Sequence, residues 1–157
     1  MKRPLSLTGI PVSPGVAIGR AVLWVSREDS SPRRSLEPEE IETEIERFRR
    51  AAEAAADAIE STARQVKDRL GSEYAGIFHA HALFLKDRAF LGPIERRIAH
   101  EKVNAEWAVT EASSDLMARF RSLPDENFTH SAADIDDVAR VLKRHLGGEE
   151  NSRLRME

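Results

Sequence analysis

The sequence predicts a mainly α fold, an antiparallel helical bundle with a short N-terminal β-hairpin segment. From Pro38 onward apolar residues recur at spacings of three and four, the period of one buried helix face. Gly71, Pro93, Pro124 and the pair Gly147 and Gly148 interrupt that pattern, and the short connections they leave imply antiparallel neighbours. Residues 8–25, TGIPVSPGVAIGRAVLWV, are instead rich in glycine, proline and β-branched side chains. That composition suits two short strands around Gly15 and Gly19.

Within the helical region, the first and longest element runs from Pro38 to Leu70. Its apolar stripe is Ile41, Ile45, Phe48, Ala52, Ala55, Ile59, Ala63, Val66 and Leu70. Pro38 suits a first helical turn, Glu39 and Glu40 suit the positive end of the helix dipole, and Gly71 suits a stop. Over this length such a helix is roughly 50 Å long and needs neighbours along it. Ser72 can cap a second helix reaching about residue 86. Pro93 falls in the first turn of a short third, ending near His100. Asn104 can cap a fourth, carrying Trp107, Ser114, Met117 and Phe120. Ser122 and Pro124, followed by Asp125 and Glu126, open a fifth with the stripe Phe128, Ile135, Val138, Leu142 and Leu146. The polar, proline-containing stretch SREDSSPRRSLEP reads as a linker. The expected domains are therefore 1–34 (strands and linker), 35–148 (helical domain) and 149–157 (tail).

Composition narrows the function classes. The 157 residues are 41% hydrophobic and 32% charged, enough for one core of ordinary size. There is no cysteine, which excludes disulfides, thiolate nucleophiles and cysteine-ligated metals. No run of about 18 apolar residues occurs and MKRPLSLTG lacks a signal-peptide core, so a cytoplasmic protein without membrane insertion is expected. A net charge of −3 supplies no general attraction to nucleic acid or anionic lipid.

The stretch IFHAHALFLKD, residues 77–87, holds two histidines one residue apart. On a strand they would share a face and could share a metal; on a helix they diverge by about 200°. The flanking pattern is helical. At 100° per residue, Tyr74, Ile77, Phe78, His81 and Leu85 fall in one arc, taken as the core side, and Gly76, His79, Ala80, Leu83 and Asp87 in the opposite one, with Phe84 at its edge. His81 is then a core-flanking residue satisfied by one hydrogen bond, with a catalytic or ligand role as the alternative, and His79 faces solvent. Leu83 and Phe84 beside small Gly76 and Ala80 read either as a flat docking patch or as stray exposed apolar residues. His100, His130 and His145 lack ligand spacing. The acidic run Glu37, Glu39, Glu40, Glu42, Glu44 and Glu46 reads as a solvated helix face. Helical spacing splays Asp134, Asp136 and Asp137. No P-loop, HExxH, GxSxG or dinucleotide-binding glycine motif is present.

Taken together and in order, GIPVSPGVAIGRAVLW, IFHAHALFLKD, VNAEWAV and AADIDDVARVLKRHLGG resemble landmarks of the N-terminal part of Enzyme I of the bacterial phosphoenolpyruvate:sugar phosphotransferase system. The resemblance covers about residues 8–148. It implies that the strands belong to a phosphohistidine α/β subdomain and that the helices form the inserted domain that docks the histidine-containing phosphocarrier protein, HPr. In the family a phosphoryl group passes from phosphoenolpyruvate to a histidine in a glycine-rich segment ending in Ser-His, then to HPr. No such segment is present, so the resemblance implies no catalytic residue here, and a piece of a longer protein that is inactive alone. It implies magnesium for the full-length family and no cofactor for this segment, and a parent homodimer formed through a C-terminal part.

Carried over by position, the family's docking contacts fall on Glu73, Gly76, Ile77, His79, Ala80, Leu83, Phe84, Asp87, Arg88 and Phe90, with Phe120, Phe128 and Ser131 across a groove. His79 and Arg88 stand where enteric-type members carry acidic residues, and Ser131 where they carry arginine. These departures point to a partner with a differently charged face, such as a nitrogen-branch phosphocarrier. A segment of a multiphosphoryl transfer protein or dihydroxyacetone kinase component, or a helical self-association module using the same patch, are the alternatives.

Overall fold

The computed structural model describes residues 15, 16, 18, 19, 31–122 and 127–147, the backbone alone for 127–130. Glu37 and Glu40 open the helical region by reciprocal capping around the 3-10 turn Pro38–Glu40, with the Glu37 N–H donating to Glu40 Oε2 at 2.8 Å. Helix α1 follows over Ile41–Leu70, roughly 45 Å at 1.5 Å per residue. Its buried residues include Ile45, Phe48, Ala52, Ala55, Ile59 and Ala63, the stripe expected from spacing. The stripe fails at its end, because Val66 is half-buried and Leu70 is exposed. Gly71 terminates α1 at φ 105° and ψ 166°, its N–H donating to Lys67 O at 3.0 Å.

Helix α2 spans Ser72–Phe84, α3 Arg88–Glu101, α4 Ala105–Arg121 and α5 Asn127–Leu146. Joined only by Gly71, α1 and α2 pack side by side as an antiparallel pair, as do α4 and α5; α1 also packs on α5, and α3 lies against α1 and α4. The core gathers Phe48 and Ile59 of α1, Leu85 after α2, Ile94 and Ile98 of α3, Val109 of α4, and Val138 and Leu142 of α5. The antiparallel bundle is as expected. The N-terminal hairpin lies outside the described residues, apart from Gly15, Val16, Ile18 and Gly19, none of which is in a strand. Among the described residues no helix is long and apolar enough to cross a membrane.

Three local expectations are corrected. Gly71, not Ser72, occupies the N-cap of α2, with no side-chain cap bond. Helix α3 starts at Arg88, so Pro93 sits inside it rather than in its first turn; Asp87 caps the helix, accepting the Ala89 N–H at 2.8 Å. Glu44, expected on a solvated face, is 6% exposed. It accepts the first N–H of α4, from Ala105, at 2.7 Å and a bidentate pair from Arg47. Arg47 also reaches Glu106 at 2.8 Å and Leu146 O at 2.8 Å, so one ionic cluster ties α1 to α4 and α5.

The linker is fastened at its end. Leu36 N donates to Lys102 O at 2.8 Å, Asn104 N to Arg34 O at 3.1 Å, and Ser35 pairs with Val103 in an isolated antiparallel bridge. Lys102 takes the left-handed conformation at the end of α3, which turns the chain into this bridge. Asn104 does not cap α4 through its side chain; its Oδ1 accepts the Arg34 N–H instead, at 2.8 Å.

Candidate docking surface

On α2 the buried residues are Ala75 and Ala82, with Leu85 buried just beyond the helix and Phe78 half-buried. The core arc is therefore rotated from the expected one: Tyr74 and Ile77 were placed inward and stand 57% and 52% exposed. Helix α2 is apolar on nearly every side, so a helical wheel has no polar face to anchor it. Leu83 is 66% exposed, as the wheel indicated.

The rotation consolidates the patch. Glu73, Gly76, Ile77, Ala80, Leu83 and Phe84 fall within an arc of about 120° at 3.6 residues per turn. All are exposed except half-buried Phe84. Phe84 rests on Phe90 with ring centroids 4.4 Å apart, and Phe90 is buried. Phe90 thus supports the patch from below. No Cβ clash would arise at Gly76, whose side-chain direction is open.

Two side chains at the margin lie against carboxylates. His79 Nδ1 lies 3.3 Å from Glu60 Oε2 on α1. Arg88 Nη1 lies 3.4 Å from Glu95, which also accepts a bidentate pair from Arg49 at 2.9 and 3.2 Å. The Arg49 hydrogen bonds outweigh burial and hold the Glu95 carboxyl below its ordinary pKa. His79 and Arg88 therefore both sit against carboxylates, while Glu73 and Asp87 remain exposed at the two ends of the strip.

Across from α2, His81 Nε2 approaches Asp134 Oδ1 of α5 at 3.4 Å, yet makes no hydrogen bond with proper geometry. The expectation of one satisfying bond is corrected. That contact brings the turn of α5 containing half-buried Ser131 towards α2. Phe120 is half-buried near the end of α4, and the side chain of Phe128 lies outside the described residues. Asp136 pairs with Arg140 one turn on. Among the described residues no group of three or more histidines and carboxylates is placed to hold a metal ion. Tyr74 extends the patch and was missed, because its spacing from Phe78 and His81 reads as core.

Residues 8–130 match the family described as PEP-utilising enzyme, N-terminal. Curated phosphoenolpyruvate-protein phosphotransferases from Bacillus sp. (strain S) and Listeria innocua serovar 6a are 33% identical over 146 residues and 36% identical over 142. The alignments cover 93% and 90% of this chain and 25% and 24% of the relatives, so the chain spans about a quarter of their length. The NMR solution structure of an Enzyme I (nEIt) protein superposes with a TM-score of 0.77 at 32% identity, over 87% of this chain and 55% of that one. A family match over most of the sequence, joined to a shared fold, means that the chain belongs to the family of N-terminal domains of PEP-utilising enzymes.

Proposed function

We propose that this chain is the docking module of a phosphoenolpyruvate-protein phosphotransferase and that it receives the phosphocarrier HPr on the outward strip of α2. The observation that carries this reading is the strip itself: Ile77, Ala80 and Leu83 stand exposed in one arc beside Phe84, on a helix whose opposite side buries Ala75 and Ala82. Contiguous exposed apolar surface with polar ends suits a partner interface. The module contributes proximity rather than bond chemistry. By seating HPr it raises the effective concentration of the carrier's histidine near the phosphorylated histidine of the longer protein. Residues that bind magnesium or phosphoenolpyruvate belong to other parts of that protein.

The test is a titration of the isotope-labelled chain with HPr, followed by amide NMR. Signals of residues 76–88 shift, and Leu83→Glu, which places a charge in the strip without touching the core, abolishes the shifts. Unchanged spectra at high HPr overturn the reading. Self-association has one observation in its favour: Leu70 and Tyr74 prolong the exposed apolar surface beyond the strip. A concentration-dependent dimer with no response to HPr selects it.

A further inference from the structure

Helices α3 and α4 leave between them a cleft of about 250 Å³ that shares only Phe90 with the expected docking contacts. Phe90 and Pro93 of α3 and Leu116 of α4 give it an apolar lining, Arg96 and Arg97 line one wall, and Asp115 and Arg119 line the other. Arg97 is fixed. Its Nε donates to Glu101 at 2.8 Å and its Nη2 to Asp115 at 2.9 Å, while Nη1 is sealed from solvent with no hydrogen-bond partner. Arg96 and Arg119 are exposed, and neither pairs with a carboxylate among the described residues. Among the described residues Glu101 and Asp115 thus both converge on one guanidinium, and no carboxylate pairs with the other two.

A guanidinium presents its N–H groups as a planar fork that fits carboxylate or phosphate oxygens in pairs. Two unmatched forks on opposite walls call for a doubly charged oxyanion, because a monocarboxylate would leave one of them uncompensated. A phosphate monoester carries close to two negative charges at neutral pH. The apolar lining calls for a carbon portion as well, and a volume below the roughly 300–1,000 Å³ of drug-sized sites limits it to about one ring or a short chain. We propose that the α3–α4 cleft binds a small phosphate monoester, its phosphate held between Arg96 and Arg119 and its carbon portion on Phe90, Pro93 and Leu116. Arg97, held by Glu101 of α3 and Asp115 of α4, keeps the walls of the cleft in place. The site does not depend on HPr docking.

Phenyl phosphate, inorganic phosphate and phenol, each added at constant ionic strength to the labelled chain, separate the alternatives. Phenyl phosphate is expected to shift the Nε–Hε signals of Arg96 and Arg119 and the amides of residues 89–97 and 112–119 saturably. Its affinity should exceed that of inorganic phosphate by at least about tenfold, with phenol silent. The double variant R96Q/R119Q, altered only at exposed positions, should keep a folded spectrum and lose the response. The proposal is overturned if phenyl phosphate gives no saturable shift up to about 10 mM, if inorganic phosphate binds equally well, or if the double variant binds as tightly as the parent.

Discussion

At Glu44 one carboxylate receives the Arg47 guanidinium and the Ala105 N–H. Burial alone would raise its pKa, but these hydrogen bonds outweigh burial and hold the carboxyl below its ordinary range. A carboxyl whose folded pKa lies below its unfolded value stabilises the fold above the unfolded value, near pH 4, and loses that contribution as pH falls through the folded one. Glu44→Gln should therefore cost about 1–3 kcal/mol at neutral pH and flatten the loss of stability below about pH 4, both measurable by urea denaturation at a series of pH values. An unchanged midpoint at neutral pH would refute the clamp. Nothing local marks Glu44 among six acidic residues of the same run: what distinguishes it is Ala105, 61 residues away.

Two glycines five residues apart show how element context sets the sign of the same substitution. Gly71 ends α1 and precedes α2 at φ 105° and ψ 166°, a region essentially restricted to glycine. Gly71→Ala should destabilise by about 1–3 kcal/mol through backbone strain, since no atom obstructs the added Cβ. Gly76 lies inside α2 with equally open space. Gly76→Ala should stabilise by about 0.5–1 kcal/mol, because alanine loses less backbone entropy in a helix. Thermal unfolding of the two variants checks both signs. The stop at Gly71 was legible in the sequence, as was the exposure of Leu83. The start of α3 was not, since a proline suggests a first turn, whereas here the Asp87 cap and the burial of Phe90 extend the helix five residues further back.

Across the whole molecule, α1 and α2 reach beyond the shared core. Ala63 is the last buried residue of α1 and Ala75 the first of α2, and none of residues 64–74 is fully buried. Their packing is mainly helix on helix, without the third layer that covers Phe48 and Ile59. Amide hydrogens of residues 64–74 should therefore exchange by local opening at lower free energy than those of residues 48–59; equal protection of the two stretches would show that the pair is stabilised along its full length. By itself the sequence determined the helices, most of their ends, the α1 stripe as far as Ala63, the described part of the α5 stripe and the family resemblance, because periodicity, caps and motifs are written in neighbouring residues. The rotation of α2, the burial of Glu44, the pairing of His79 and Arg88 with carboxylates and the basic cleft between α3 and α4 were decided by tertiary structure alone. Each depends on side chains that only packing brings together, across separations as long as the 99 residues between Arg47 and Leu146, and no local pattern records which of them will meet.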